Sequence, residues 1–312
     1  MDINPTFQAI LQKNHLKTNC VLICYVAIFV LVGLLVDIVR LDAPSLEWGF
    51  MALLSGQEIP LVTIISALIA FGIIVYSLKR FDAIMLKGDE YELLDSRALP
   101  PLQARIKMAF DDVLRRAGAS TTKDAPRLYL IHAPYMNAFA SGWQQENSLI
   151  AITSALAENL NDQELRAVLA HELSHIRHGD IRLTMCVGIL SNILLLICNN
   201  AIWLFMGNRQ NHGASKARSI LLILQFILPI LTLWLQMFLS RSREYMADAG
   251  SAYLMHTPSP LISALEKIHN NYAQNDFSQV DTNPTRKAAY IFSDSFSTHP
   301  SLQNRIRSLR GE

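Results

Sequence analysis

The sequence predicts a mainly α-helical membrane protein with four hydrophobic helices and a cytoplasmic domain that contains a small antiparallel β-sheet. Of the 312 residues, 51% are hydrophobic and only 17% are charged, and the mean hydropathy is +0.23. This composition is unusual for a soluble globular domain. The hydrophobic residues concentrate in four long uncharged stretches, and short segments of alternating hydrophobicity occur in a polar region between them.

Each uncharged stretch has a length comparable to the roughly 20 residues that a bilayer-spanning helix needs. The four stretches cover residues 18–36, 59–78, 183–208 and 219–240. The first follows a polar tail with Lys13 and Lys17 and is long enough to span, so we expect a retained anchor rather than a cleaved signal peptide. The last two contain polar residues, which leaves open whether this second hairpin crosses the bilayer or only enters it.

The charges beside the first two stretches predict an orientation. Residues 41–59 contain acidic residues but no Lys or Arg, whereas Lys79, Arg80 and Lys87 follow the second stretch. Because basic residues near membrane helices favour the cytoplasmic side, we expect the N-terminus and the chain after residue 79 in the cytoplasm. The loop between the third and fourth stretches is basic as well, but it would lie outside the cytoplasm if both stretches crossed the membrane. This hairpin therefore fits the rule less well.

Four segments follow from this pattern. Residues 1–79 are the tail and first hairpin, 80–182 the first part of the polar domain, 183–240 the second hairpin, and 241–312 the second part of the polar domain. Both polar parts fall on the same side of the membrane whether or not the second hairpin crosses, so they can form one domain.

Charge and cysteine content exclude several classes of protein. The 27 basic and 26 acidic residues leave a formal charge of +1, so nucleic acid is not an expected partner. All four cysteines lie in apolar stretches, where we expect free thiols rather than a disulfide framework or a Cys-ligated zinc. The expected partner of the uncharged stretches is the lipid bilayer, and the oligomeric state stays open.

Local patterns predict the elements of the polar domain. Residues 102–117 have the spacing of an amphipathic helix that ends at Gly118. Three segments predict antiparallel strands, namely residues 127–131, 138–143 and 148–152. Asn161, with Glu164 three residues later, predicts a capped helix start.

The predicted helix carries a metal-binding pattern. His171 and His175 are four residues apart and therefore lie on one helical face, about 6 Å apart, where both rings reach one ion. Glu172 is placed to reach water beside the metal rather than the metal itself. This arrangement is typical of zinc-assisted peptide hydrolysis, with one Zn²⁺ per chain expected.

A catalytic zinc site needs a third protein ligand. Directly after the fourth stretch, Glu244 and Asp248 again share one helical face. We expect Glu244 to be the third ligand and Asp248 to orient a ligating histidine. The alternative is an ordinary solvated helix face, whose carboxylates pair with Arg241 or Arg243.

These residues resemble a known family, the HtpX-type integral-membrane zinc metalloproteases, which are relatives of the CAAX prenyl proteases. The resemblance runs from the first stretch to the C-terminus. Four motifs carry it in order: Asn137-Ala138-Phe139-Ala140-Ser141-Gly142; His171-Glu172-Leu173-Ser174-His175 with Arg177-His178-Gly179-Asp180; Ser242-Arg243-Glu244-Tyr245-Met246-Ala247-Asp248; and Ser297-Thr298-His299-Pro300-Ser301-Leu302 ahead of Arg305-Ile306.

The resemblance implies a zincin-like catalytic domain on the cytoplasmic face of the bacterial inner membrane. It implies that His171, His175 and Glu244 bind zinc, that Glu172 is the general base and later the proton donor, and that Asp248 supports the site. The implied activity is the degradation of misfolded or damaged membrane proteins in quality control and the stress response.

Two further roles are hypotheses that combine the resemblance with mechanism. The strand containing Asn137, Ala138, Phe139 and Ala140 is expected to be an exposed sheet edge that an extended substrate joins as a further strand. The alternative is a core strand with Phe139 facing inward. His299 is expected to donate to the developing oxyanion, and the alternative is a surface histidine before a C-terminal helix.

Two other functions compete with broad proteolysis. One is the processing of a single dedicated membrane or lipidated substrate. The other is a proteolytically silent membrane scaffold that keeps a structural metal. The scaffold is disfavoured because Glu172 is present, and metal binding alone does not need that carboxylate.

Overall fold

The computed structural model describes residues 5–80, 86, 90–95, 98–119, 125–144, 147–179, 212–277, 291 and 300–312. The chain divides into two compact units. The first combines Met1–Ser77 with Cys186–Gln236, and the second combines Leu78–Met185 with Met237–Glu312. The third uncharged stretch, residues 183–208, and His299 lie outside the described residues.

Helices form the first unit: α1 (Pro5–Arg40), α2 (Leu46–Leu54), α3 (Leu61–Lys79) and the part of α7 (His212–Met255) up to Gln236. Three of the four uncharged stretches therefore lie almost entirely in helices. In the described part of the chain, no helix combines the length and the apolar character needed to cross a membrane. The prediction of four membrane-spanning helices stays a prediction.

A buried carboxylate joins two helices of this unit. Asp37 of α1 is fully buried and accepts the main-chain N–H groups of Val62 and Thr63 at 3.0 and 2.9 Å. These donors lie in the first turn of α3, where no carbonyl of the helix itself is available to them. Arg40 completes the cluster, with its Nε 2.9 Å from Asp37 Oδ1. Asp37 thus caps α3 from a neighbouring helix.

The second unit contains a four-stranded sheet with the order β1-β2-β4-β3. Its strands are β1 (Tyr91–Leu93), β2 (Arg127–Ile131), β3 (Ala138–Gln144) and β4 (Asn147–Thr153). The three predicted strands are confirmed, but the prediction of an antiparallel sheet was wrong because β2 and β4 pair in parallel. After β2 the chain forms β3 at the far edge, and the β3–β4 hairpin then returns β4 beside β2 in the same direction as β2.

The helices of this unit are α4 (Pro101–Arg116), α5 (Ser154–Asn159), α6 (Asp162–His178), α8 (Ser259–Gln274), α9 (Leu302–Arg310) and the end of α7. The local predictions are confirmed. Asn161 and Glu164 form a reciprocal capping box at the start of α6, and Gly179 ends this helix in the left-handed conformation at φ 72°.

Both faces of the sheet are buried at β2, β3 and β4, whereas the edge strand β1 is exposed. Ala138 and Ala140 of β3 belong to the larger core, together with residues from α4, α6 and α8. Phe139, which alternates with them, points to a second core with Tyr129 and Leu149. The sheet thus lies between two apolar layers, and α6 packs directly against β3.

Candidate metal centre

Helix α6 brings the two histidines of the sequence motif together. The Nε2 atoms of His171 and His175 are 3.2 Å apart, and the rings meet edge to face. His171 is completely buried, whereas the His175 side chain is 15% exposed. Because burial disfavours the imidazolium and outweighs the opposing effect of Asp248, the pKa of His171 falls to about 4. The ring is therefore neutral near pH 7, which is the state that binds a metal.

Small residues allow the second ligand helix to lie close to α6. A Cβ atom built on Gly250 of α7 would lie 2.4 Å from Ser174 Oγ and 2.9 Å from Ser174 Cβ. The neighbouring Ser251 donates its hydroxyl to the carbonyl of Ala167 at 2.6 Å. This close approach positions Glu244 and Asp248 opposite the histidines of α6.

The distances between the three expected ligands fit one tetrahedral metal ion. Glu244 Oε2 lies 3.7 Å from His171 Nε2, and Glu244 Oε1 lies 3.5 Å from His175 Nε2. Ligand atoms about 2.05 Å from a tetrahedral zinc are separated by about 3.3 Å. Two imidazoles and one carboxylate, with all three ligand atoms within 4.8 Å of one another, are a donor set suited to zinc.

Asp248 lies behind the histidine rather than in the ligand group. Its Oδ1 is 3.0 Å from Nδ1 of His171, and the Nε2 atom of the same ring faces the other ligands. A carboxylate in this position holds the ring orientation and raises the basicity of the ligating nitrogen. The structure therefore places Asp248 where the sequence analysis expected a supporting acid.

Arg305 is a member of the site for which the sequence analysis proposed no role. It donates Nε and Nη2 to the two oxygens of Asp248 at 2.9 and 2.6 Å, and its Nη1 lies 3.5 Å from Glu244 Oε2. Burial would raise the pKa of Asp248, but the charge of Arg305 and the contact with His171 lower it overall. The only indication of this role in the sequence was that Arg305 belongs to the last of the four motifs. No spacing rule connects Arg305 with α7.

Glu172 lies beside the ligand group and is buried. Neither of its carboxylate oxygens has a well-formed hydrogen bond with the described residues. Burial, together with the negative charge of Glu244, raises the pKa of Glu172 to about 8 against the opposing effects of His175 and Arg305. A carboxyl group with such a pKa is able both to accept and to release a proton near neutral pH.

The predicted substrate strand lies at the sheet edge but is not exposed. Asn137, Ala138 and Phe139 are each at most 1% exposed, and Ala140 is 6% exposed. Asn137 donates its side-chain Nδ2 to the hydroxyl of Tyr272 at 2.7 Å. The expectation of an exposed edge was therefore wrong, because Phe139 packs into the second core and α8 covers Asn137.

The structure thus brings His171, His175, Glu244 and Asp248 into one cluster with Glu172 beside it. The edge strand is close to this cluster, since the main chain of Ala140 interacts with Glu172. The position of His299 lies outside the described residues, which resume at Pro300.

Comparisons with known proteins identify related peptidases. The model of peptidase family M48 matches residues 100–312. The protease HtpX homolog of Helicobacter pylori (strain Shi470) is 57% identical over 305 residues, which are 97% of each chain. The protease HtpX homolog of Campylobacter hominis is 34% identical and covers 83% of this chain and 91% of its own.

A solved structure shares the fold. The crystal structure of S. mikatae Ste24p superposes with a TM-score of 0.52 at 19% identity, over 79% of this chain and 57% of that chain. The family match includes every site residue described above, and the HtpX relatives extend over nearly the whole chain. The chain therefore belongs to peptidase family M48, among its HtpX-type proteases.

Proposed function

We propose that this protease is a zinc-dependent endopeptidase of the bacterial inner membrane that cleaves misfolded or damaged membrane proteins on the cytoplasmic side. The observation that carries this proposal is the convergence of His171, His175 and Glu244 beside a buried carboxyl group, Glu172. A structural metal needs only the ligands. Hydrolysis also needs an acid with a raised pKa beside three protein ligands that leave the fourth tetrahedral position open.

Each residue has a part in this chemistry. Zinc, when bound, acts as a Lewis acid towards water and the scissile carbonyl. Glu172 accepts the proton of the attacking water and delivers it to the leaving amine. Asp248 and Arg305 hold His171 in the orientation that presents Nε2 to the ion.

The surface of the first unit supports a membrane setting. Among the described residues, all but four of the exposed large apolar side chains lie in this unit; the four are Tyr91, Leu93, Met108 and Tyr253. Leu68, Phe71 and Phe226 are each at least 66% exposed to solvent in the isolated chain. A surface this apolar is suited to lipid contact. The basic residues after α3 favour the cytoplasmic side for the catalytic domain.

The test compares the wild-type chain with Glu172→Gln, both purified in detergent and measured for zinc content and for cleavage of casein. We expect one zinc per chain in both proteins, and cleavage by the wild type alone. Zinc in both proteins with cleavage by neither would instead identify a scaffold.

The breadth of the substrate range separates quality control from dedicated processing. Cleavage of casein at many sites, and of a destabilised membrane protein in proteoliposomes in preference to its stable form, is the expected result. Cleavage of one native membrane or lipidated protein alone would favour the processing role.

His299 remains our proposed donor to the developing oxyanion. Its replacement by Ala should reduce kcat about 10²–10³-fold with zinc retained, as for other single oxyanion donors. A loss of less than a few-fold would remove this role and leave the roles of the other residues intact.

A further inference from the structure

The outer edge of β3 has a defined hydrogen-bonding pattern. The N–H of Thr153 donates to the carbonyl of Asn137 at 3.0 Å, so Asn137 directs its carbonyl towards β4. In an antiparallel ladder, hydrogen-bonded pairs alternate with pairs whose N–H and C=O groups point away from the partner strand. The register pairs Ala138 with Ile152 and Ala140 with Ile150, and their main-chain groups therefore point to the outer edge.

At Ala138 both outward groups are already engaged within the chain. Its N–H donates to Oδ1 of Asn137 at 3.0 Å. Its carbonyl accepts the main-chain N–H of Ile291, also at 3.0 Å. The N–H of Ile291 thus makes the main-chain hydrogen bond to this edge that an added strand would otherwise make.

Ile291 is also anchored on its other side. It is 1% exposed and belongs to the larger core, and its carbonyl accepts Nη1 of Arg305 at 2.9 Å. One residue therefore connects the edge strand to the arginine that holds Asp248. A buried aliphatic side chain, an edge-strand bond and a charge-assisted bond together keep it in place.

We propose that Ile291 forms an autoinhibitory contact, which occupies the position on β3 that an extended substrate takes, and that substrate binding displaces it. This inference rests on the proposed function, and it keeps the hypothesis from the sequence that a polypeptide substrate joins the β3 edge for cleavage. The described arrangement leaves no room for a second strand at Ala138, where residues 138–141 are each at most 6% exposed. Substrate and Ile291 thus compete for the same carbonyl.

The contact is arranged so that its release leaves the metal ligands in place. Arg305 binds Asp248 through Nε and Nη2, and it binds Ile291 through a different nitrogen, Nη1. Loss of Ile291 from the edge therefore leaves the two hydrogen bonds between Arg305 and Asp248 intact. If the Ile291 contact is weakened, substrate binding needs less free energy to displace Ile291, and KM should fall. The value of kcat should change little.

The experiment uses the full chain in detergent, with fluorescein-labelled casein as the substrate. Ile291→Ala removes most of the buried side chain and keeps both main-chain bonds, and Ile291→Val is a milder variant for the case that the first does not fold. The matched control is Ile106→Ala, which truncates another fully buried isoleucine of the same core, on α4.

We expect Ile291→Ala to lower KM at least threefold relative to Ile106→Ala, with kcat within about twofold and zinc content unchanged, and Ile291→Val to have an intermediate KM. In the Glu172→Gln background, Ile291→Ala should bind the labelled casein at least threefold more tightly in fluorescence anisotropy. A KM that is unchanged or raised relative to the control overturns the autoinhibitory contact.

The two proposals fail in different ways. Wild-type cleavage that depends on Glu172, combined with an unchanged KM in the Ile291 variants, overturns the contact and leaves the protease function standing. No cleavage by the wild type, or cleavage that persists in Glu172→Gln, overturns the proposed function and the contact with it.

Discussion

Arg305 binds both carboxylate oxygens of Asp248, at 2.9 and 2.6 Å, and the two side chains are each only 2% exposed. Asp248 in turn lies 3.0 Å from Nδ1 of His171. Helix α9 thus supports a candidate metal ligand on α6 through a carboxylate on α7. A buried charge pair of this kind is sensitive to the loss of either partner, because the remaining charge is left buried and unpaired.

Replacement of Arg305 by Met should therefore weaken both the fold and the metal site. We expect a loss of about 3–5 kcal/mol in the free energy of unfolding and a zinc affinity lowered about 10–100-fold. Thermal unfolding and zinc titration measure the two effects. Arg307→Met, at an exposed position of the same helix, is the control. Unchanged zinc affinity in Arg305→Met would contradict the supporting role.

Gly250→Ala should disturb the packing of α7 against α6. The added methyl group would lie within 2.9 Å of both side-chain atoms of Ser174, which is too close for ordinary contact. Overpacking of this kind costs about 1–3 kcal/mol. We expect a lower Tm and weaker zinc binding, since the same helix carries Glu244. Gly72→Ala, where no atom lies within 4 Å, adds the same methyl group as a control; an equal effect of both changes would show that packing is not the cause.

The capping box of α6 should make stability depend on pH. Burial alone would raise the pKa of Glu164, but hydrogen bonds from Lys267, Ser263 and the N–H of Asn161 lower it overall. Because the pKa is lower in the folded state, the stabilisation is present above the ordinary pKa of 4.5 and is lost as the pH falls through the folded value.

Glu164→Gln should therefore lower Tm at pH 7, and this difference from the wild type should shrink as the pH falls below about 4.5. Thermal unfolding at a series of pH values measures it. The exposed Glu158→Gln on α5 controls for the loss of one carboxylate. A Tm difference that stays constant down to pH 3 would rule out the proposed linkage.

Asp37→Ala should destabilise the first unit without affecting the metal. The change removes the acceptor for two N–H groups at the start of α3, and loss of such a cap costs about 0.5–2 kcal/mol. It also leaves Arg40 without its carboxylate partner. We expect a lower Tm in detergent and an unchanged zinc content. Glu47→Ala, on the exposed face of α2, should leave both unchanged.

Asn137→Ala should act through Tyr272. Loss of the amide leaves the Tyr272 hydroxyl without the 2.7 Å donor on β3, at a cost of about 1–3 kcal/mol. If the two side chains work as a pair, Asn137→Ala and Tyr272→Phe will be non-additive in a double-mutant cycle of unfolding free energies, with a coupling of about 0.5–3 kcal/mol. Additive effects would instead indicate that Asn137 and Tyr272 act independently.

Short-range sequence patterns determined much of the catalytic unit. The start of α6 follows from Asn161 and Glu164, and its end follows from Gly179, because caps depend on residues within one turn. The spacing of His171 and His175 places both rings on one face for the same reason. The three strands after Pro126 were also predictable, since alternation of side chains is a local property.

Only the tertiary structure decided how these elements combine. The parallel pairing of β2 with β4, the burial of β3, and the contacts of Ile291 and Arg305 join residues that are far apart in the chain. No periodicity relates Arg305 to Asp248, 57 residues earlier. Such contacts depend on how whole elements pack, and the close approach of α7 to α6 at Gly250 decides which carboxylates reach the histidines.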